Sequence, residues 1–112
     1  MGHRPRVTDP IAETPEPPYT AVIFTSLRTE GDNGYAAAAA RMEELAAEQP
    51  GYLGIESARD GVGITVSYWA TEADAAAWKR IAEHAAAQRA GRERWYSQYV
   101  VRVATVTRQY GS

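Results

Sequence analysis

The sequence predicts an α+β domain of the ferredoxin-like βαββαβ type, with a four-stranded antiparallel sheet and both helices on one of its faces. Three observations point there. Short runs rich in β-branched and aromatic residues alternate with two Ala-rich helical segments. An Asp60-Gly61 pair joins the two middle strands as a hairpin. The chain is 112 residues long, which suits one domain and leaves no room for a second independent core.

The elements follow in chain order. Residues 1–18 hold Pro5, Pro10, Pro15, Pro17 and Pro18 and few large apolar residues, so they are expected to form an extended, flexible arm, with His3 solvated. Tyr19 to Leu27 (YTAVIFTSL) reads as a buried strand. Thr29 to Gly34 is turn chemistry in which Asp32 or Asn33 caps the next element. That element, residues 35–49 (YAAAAARMEELAAEQ), is a helix stopped by Pro50-Gly51. Tyr52 to Arg59 reads as the second strand. Val62, Ile64, Val66 and Tyr68 then alternate with Gly63, Thr65, Ser67 and Trp69 in a third. Thr71 with Asp74 forms a capping box opening a helix to about Arg89, which Gly91 breaks. A polar link with Trp95 and Tyr96 leads into a final strand over Tyr99 to Tyr110. The domain proper therefore covers residues 19–112.

Composition narrows the function. Of the 45% apolar residues, 21 are Ala, while Val, Ile, Leu and Phe together number 17. That is a thin aliphatic set, so the three Trp and seven Tyr must supply much of the buried area. The absence of Cys excludes disulfides, thiolate metal sites and a Cys nucleophile. A net charge of −2 leaves no general nucleic-acid footprint. No stretch approaches a membrane span, and the N-terminus lacks a secretory h-region. No phosphate loop or dinucleotide fingerprint is present. The expectation is a soluble, cytoplasmic domain with no nucleic-acid or membrane partner.

With both helices on one face, the other face of the sheet needs a partner. The third strand, GVGITVSYW, lacks the basic-Gly-aromatic pattern of an RNA-recognition strand. A small-molecule regulatory domain of the ACT type is a second possibility. The third, favoured because the first and last strands are nearly continuous apolar runs, is a homodimer through the sheet faces, closing a dimeric α+β barrel.

The strings PGYLGIESARDGVGITVSYW, WKRIAEHAAAQRAGRERWYSQY and RVATVTRQY resemble the antibiotic biosynthesis monooxygenase (ABM) family of dimeric α+β barrels. The similarity covers roughly residues 19–110. Its most specific part is the spacing of Trp78-Lys79, Glu83-His84, Ala87-Gln88, Gly91-Arg92 and Trp95-Tyr96. The resemblance implies either a cofactor-independent monooxygenase acting with dioxygen on a small aromatic or quinol-type molecule, or a haem-degrading enzyme. A non-catalytic dimeric ligand-binding protein is the remaining option. Haem degraders of the family use an Asn on the first strand, a Trp near the third and a His on the second helix. Here Trp69 and His84 could fill the last two positions, whereas the sole Asn, Asn33, lies in a loop.

His84 is the only histidine within the domain, at the edge of the Ala77–Ile81 stripe, where it would serve as acid/base group or, if haem is bound, as axial ligand. Trp69 and Trp78 are the other candidate catalytic residues. Tyr52, Tyr68, Trp95 and Tyr96, together with Arg92, are the candidate substrate-binding residues; Tyr68 and Trp69 alternate faces, so only one can point into a given cavity. No cofactor is expected, with haem through His84 as the alternative. Packing of the indoles and a solvated arginine face around Arg80, Arg89, Arg92 and Arg94 are the competing structural readings.

Overall fold

The structure is a computed structural model describing residues 11–32, 34–90 and 95–112, with residues 87–90 by backbone alone. Its elements run β1 (Tyr19–Arg28), α1 (Tyr35–Ala47), β2 (Tyr52–Asp60), β3 (Val62–Trp69), α2 (Glu72–Ala90) and β4 (Tyr96–Val106). The strands form one sheet in the order β2-β3-β1-β4 with every pairing antiparallel, the arrangement the sequence predicts.

The caps act as their side chains dictate. Asp32 accepts hydrogen bonds from the backbone N–H of Gly34 and of Ala36 (3.0 and 3.1 Å), opening α1. Gly34 itself takes a positive φ of 82°. Thr71 accepts the N–H of Asp74 at 3.0 Å and opens α2. Asn33 lies outside the described residues.

The last strand differs from expectation at both ends. It starts at Tyr96, because β1 runs on to Arg28 and offers that residue as a partner across a bulge. It ends at Val106, which pairs with Tyr19. The residues before Tyr19 are the prolines Pro17-Pro18, which supply no ladder donor, so residues 107–110 have nothing to pair with.

On the helix-covered face, Trp69 is fully buried and packs with Ala46 of α1 and Ala75 of α2. Two methyl side chains there let the helices approach while one indole fills the space between. Trp78 stacks on Trp69 (ring centroids 5.7 Å, planes 22° apart), and Tyr52 meets it edge-on at 5.7 Å. A strict period of two would put Tyr52 opposite Ile55. A bulge between Tyr52 and Gly54 turns it back to pair with Trp69.

The other face carries Tyr19, Ala21, Ile23 and Leu27 of β1 with Val62, Ile64, Val66 and Tyr68 of β3. Residues 11–18 lie against one end of it. The backbone N–H of Ala12 donates to Glu56 at 2.9 Å. Glu56 also accepts from the Tyr68 hydroxyl at 2.6 Å. Thr14, Tyr19 and Gln109 share hydrogen bonds, and Gln109 donates to the carbonyl of Pro15. A side chain at Gly54 would bring its Cβ to 2.7 Å from Ala12, so glycine there admits the arm. The described part of the Pro-rich arm is thus fastened to the sheet; residues 1–10 lie outside the described residues.

Candidate active site

The predicted site residues fall into separate places. Trp69, Trp78 and Tyr52 form the aromatic core just described. Tyr68 points to the opposite face, toward Tyr19 and Glu56. His84 is exposed on α2, while Ile81 beside it is half-buried. Trp95 and Tyr96 lie at the other end of the sheet from Trp69, against Tyr35. Arg92 lies outside the described residues.

A cleft of about 340 Å³ opens at that other end, lined among others by Tyr35, Ser57, Arg59, Gly63 and Thr65. Register explains the lining. Ser57 pairs with Thr65 and Arg59 with Gly63 across the β2–β3 hairpin, and Thr65 and Gly63 pair with Phe24 and Ser26 of β1. All six therefore share the helix-covered face. Phe24 stacks on Tyr99 (5.4 Å, planes 30° apart) and meets Tyr96 edge-on at 5.1 Å. Tyr35, at the first turn of α1, meets Tyr96 edge-on at 5.7 Å. The result is a cluster of aromatic rings next to the cleft, joined to it through Tyr35.

Two guanidinium groups serve this end. The Arg59 side chain lies across β3 at Gly63, where an added Cβ would sit 2.1 Å from Nη2. Its Nη2 donates to the Ser26 hydroxyl at 2.7 Å, and its Nη1 to the carbonyls of Ser26 and Gly61 at 3.4 Å. Arg28 lies over the Tyr35 ring, 3.7 Å from its centroid, and donates to the carbonyls of Thr29, Gly31, Asp32 and Trp95. Burial, and then the hydrogen bond with the Tyr35 hydroxyl, push the Tyr96 phenol well above its ordinary value of 10.0; Arg59 and Arg28 pull it the other way. Tyr96 is therefore a neutral hydrogen-bond donor near pH 7 rather than a base.

Sequence reasoning missed Arg59, Ser57, Thr65, Phe24, Tyr35 and Arg28. One signal was present: a glycine inside a strand, Gly63, opposite an arginine across an Asp-Gly turn marks a place where something lies close over the backbone.

The residues do not fit a haem held by His84. Its imidazole is exposed, the helix–sheet interior on that side is filled by the stacked Trp69 and Trp78, and no imidazole lines the cleft. Among the described residues no group of His, Asp and Glu could hold a metal ion. No described helix is long and apolar enough to cross a membrane.

Three tyrosines make stability depend on alkaline pH. Burial raises Tyr68 above 10.0, and Glu56 adds to the shift through its hydrogen bond and charge. Burial and then the Glu43 charge raise Tyr52 likewise, and Tyr96 is raised as above. The folded state thus keeps protons that the unfolded chain releases near pH 10, so this stabilisation is complete below that pH and fades as pH rises through the folded values. The urea midpoint is expected to hold between about pH 7 and 9 and to drop by about pH 11. An unchanged midpoint at the higher pH would contradict the shifts.

A four-stranded antiparallel sheet in the order β2-β3-β1-β4 with both helices on one face defines an α+β domain of the ferredoxin-like class. The sequence matches the family model described as antibiotic biosynthesis monooxygenase over residues 18–90, and the chain belongs to that family. It is 54% identical over 103 residues to the uncharacterized protein YqjZ of Bacillus subtilis, covering 90% of each chain. Among solved structures it is similar to SnoaB, a cofactor-independent oxygenase from Streptomyces nogalater (TM-score 0.60, 14% identity, 85% of this chain and 97% of that one). It is similar also to a haem-degrading protein from Mycobacterium tuberculosis (TM-score 0.56, 14% identity, 84% of this chain and 98% of that one).

Proposed function

We propose that the protein is a cofactor-independent monooxygenase that oxidises a small aromatic or quinol-type substrate in the cleft beneath Tyr35. The observation that carries this reading is a cleft lined by the Tyr35 ring, the Arg59 guanidinium and the Ser57 and Thr65 residues, next to the ring cluster of Phe24, Tyr96 and Tyr99. The rings stack on the substrate and exclude water from it. The Tyr35 hydroxyl, which accepts from Tyr96, donates to the substrate's phenolic oxygen, and the positive field of Arg28 and Arg59 favours its phenolate, whose proton passes to water at the open mouth. The electron-rich ring carbon then reacts with dioxygen. The ring carbon bonds one oxygen atom and a proton from water adds to the other. Loss of that carbon's single hydrogen with cleavage of the O–O bond then leaves one oxygen as its carbonyl and releases the other as water. O2 is thus the four-electron oxidant, and the two hydrogens of the water equal the ring hydrogen and the phenolic proton.

Oxygen uptake with anthrones and naphthoquinols tests this. Tyr35→Phe is expected to lower the rate about 10- to 100-fold, the range of a lost transition-state donor, with His84→Ala near the native rate. No uptake with any quinol sinks the reading. The haem reading predicts instead a Soret shift on adding haemin that His84→Ala abolishes.

The assembly proposed with this function is a homodimer through the open sheet faces. Val62 (48% exposed), Ile64 (45%), Leu27 and Val100 form a contiguous apolar surface there. Strand β4 adds Val101 and Val103 on its other face, where neither described helix covers them. A second copy would cover Val62, Ile64, Leu27 and Val100, as in a closed barrel that leaves no edge strand.

A further inference from the structure

We infer that the cleft selects aromatic substrates that carry a carboxylate, and that Arg59 is the residue that binds it; this rests on the aromatic-substrate reading above. The guanidinium is held in place before any ligand arrives, by Ser26 (a residue only 3% exposed), by the Gly61 carbonyl and by the flat backbone at Gly63. Those bonds use three of its N–H groups. Of about five in a guanidinium, two remain, the number a bidentate carboxylate needs. No carboxylate among the described residues pairs with Arg59, although Arg41 and Lys79 on the helices both have glutamate partners. An arginine fixed in position, with no counter-ion among the described residues and facing a cleft, is arranged for an anion from outside.

The rest of the lining fits the same group. The hydroxyls of Ser57 and Thr65 are cross-strand neighbours beside Arg59 and can donate to the same carboxylate. Phe24, paired with Thr65, begins the aromatic wall one position along the sheet from Ser26 and Arg59. A carboxylate on Arg59 therefore leaves an attached ring to lie against Tyr35, whose hydroxyl meets a phenolic oxygen. The ligand this describes is a hydroxy-aromatic acid, in which the carboxylate anchors and the phenol reacts.

Calorimetric titration of the full chain with 1-hydroxy-2-naphthoate and with its neutral amide tests this, alongside oxygen uptake on the same solutions. The acid is expected to bind at least about tenfold more tightly than the amide. Arg59→Gln should abolish that preference while leaving the amide's affinity in place, and Arg59→Lys, which keeps the charge but not the planar fork, should restore it in part. Equal affinities in the native protein, or a preference that survives Arg59→Gln, overturn the inference. Arg59-dependent binding without oxygen uptake upholds the inference and sinks the oxygenase reading. Uptake of a neutral quinol by a native protein that binds the acid no more tightly than the amide does the reverse.

Discussion

Trp69→Ala is expected to lower the unfolding free energy by about 3–5 kcal/mol, the usual cost of removing a buried Trp or Phe side chain. The reason lies in the poverty of the remaining core. Among the described residues, the buried apolar ones besides Trp69 are Tyr19 and four alanines, Ala21, Ala38, Ala46 and Ala75. Ala46 and Ala75 touch Trp69 from the two helices, and neither methyl can reach into the space its indole leaves. Trp78 and Tyr52 would lose their ring partner at the same time. Domains of this size are stable by only about 5–15 kcal/mol, so the substitution removes a large share. Urea denaturation followed by far-UV circular dichroism measures it. A loss under about 1 kcal/mol would mean that the helices close over the gap, contrary to the packing described.

The second large effect concerns the open face. Val100→Arg is expected to weaken self-association about 30-fold or more, the equivalent of one interface hot spot, and to shift the particle from two chains to one at micromolar concentration. Val100 is 40% exposed, so a charge there is tolerated by the isolated fold and penalised only when a second sheet covers it. Light scattering across a concentration series reads the result. A native protein already monomeric at those concentrations, or a variant that stays dimeric, would remove the sheet-to-sheet dimer. The urea midpoint of the monomeric variant separates lost association from lost folding.

Much of the fold was legible because each local signal agreed with the next. The Asp60-Gly61 turn, the alternation from Val62 to Trp69 and the Thr71 cap each specify one element and one boundary, and together they leave a single strand order to test. Boundaries that depend on a neighbour were not legible. The Tyr96 start of β4 exists because Arg28 pairs with it, and the side on which Tyr52 sits depends on a one-residue bulge. Neither partner is visible in a local window.

The site divides the same way. Residue type drew attention to His84 and the three indoles, since imidazole and large rings carry most chemistry and most buried area. Type says nothing of direction. His84 lies one position from the face that would have enclosed it, and Trp69 and Trp78 were recruited to fill the space beneath two Ala-rich helices. Meanwhile ordinary residues, Ser57, Arg59 and Thr65, became a lining because pairing across the hairpin aligned them beneath Tyr35.

By itself, then, the sequence determined the order of elements, the family, and the need for aromatic rings to stand in for scarce aliphatics. The family follows from the resemblance of its motifs, and the rest from periodicity, turn chemistry and composition, which are properties of the chain taken a few residues at a time. Only the tertiary structure decided which aromatics make a core and which make a wall, where the guanidinium groups converge, and that the arm at residues 11–18 is fastened down. Those depend on register between strands distant in sequence, where a shift of one residue moves every side chain to the other face.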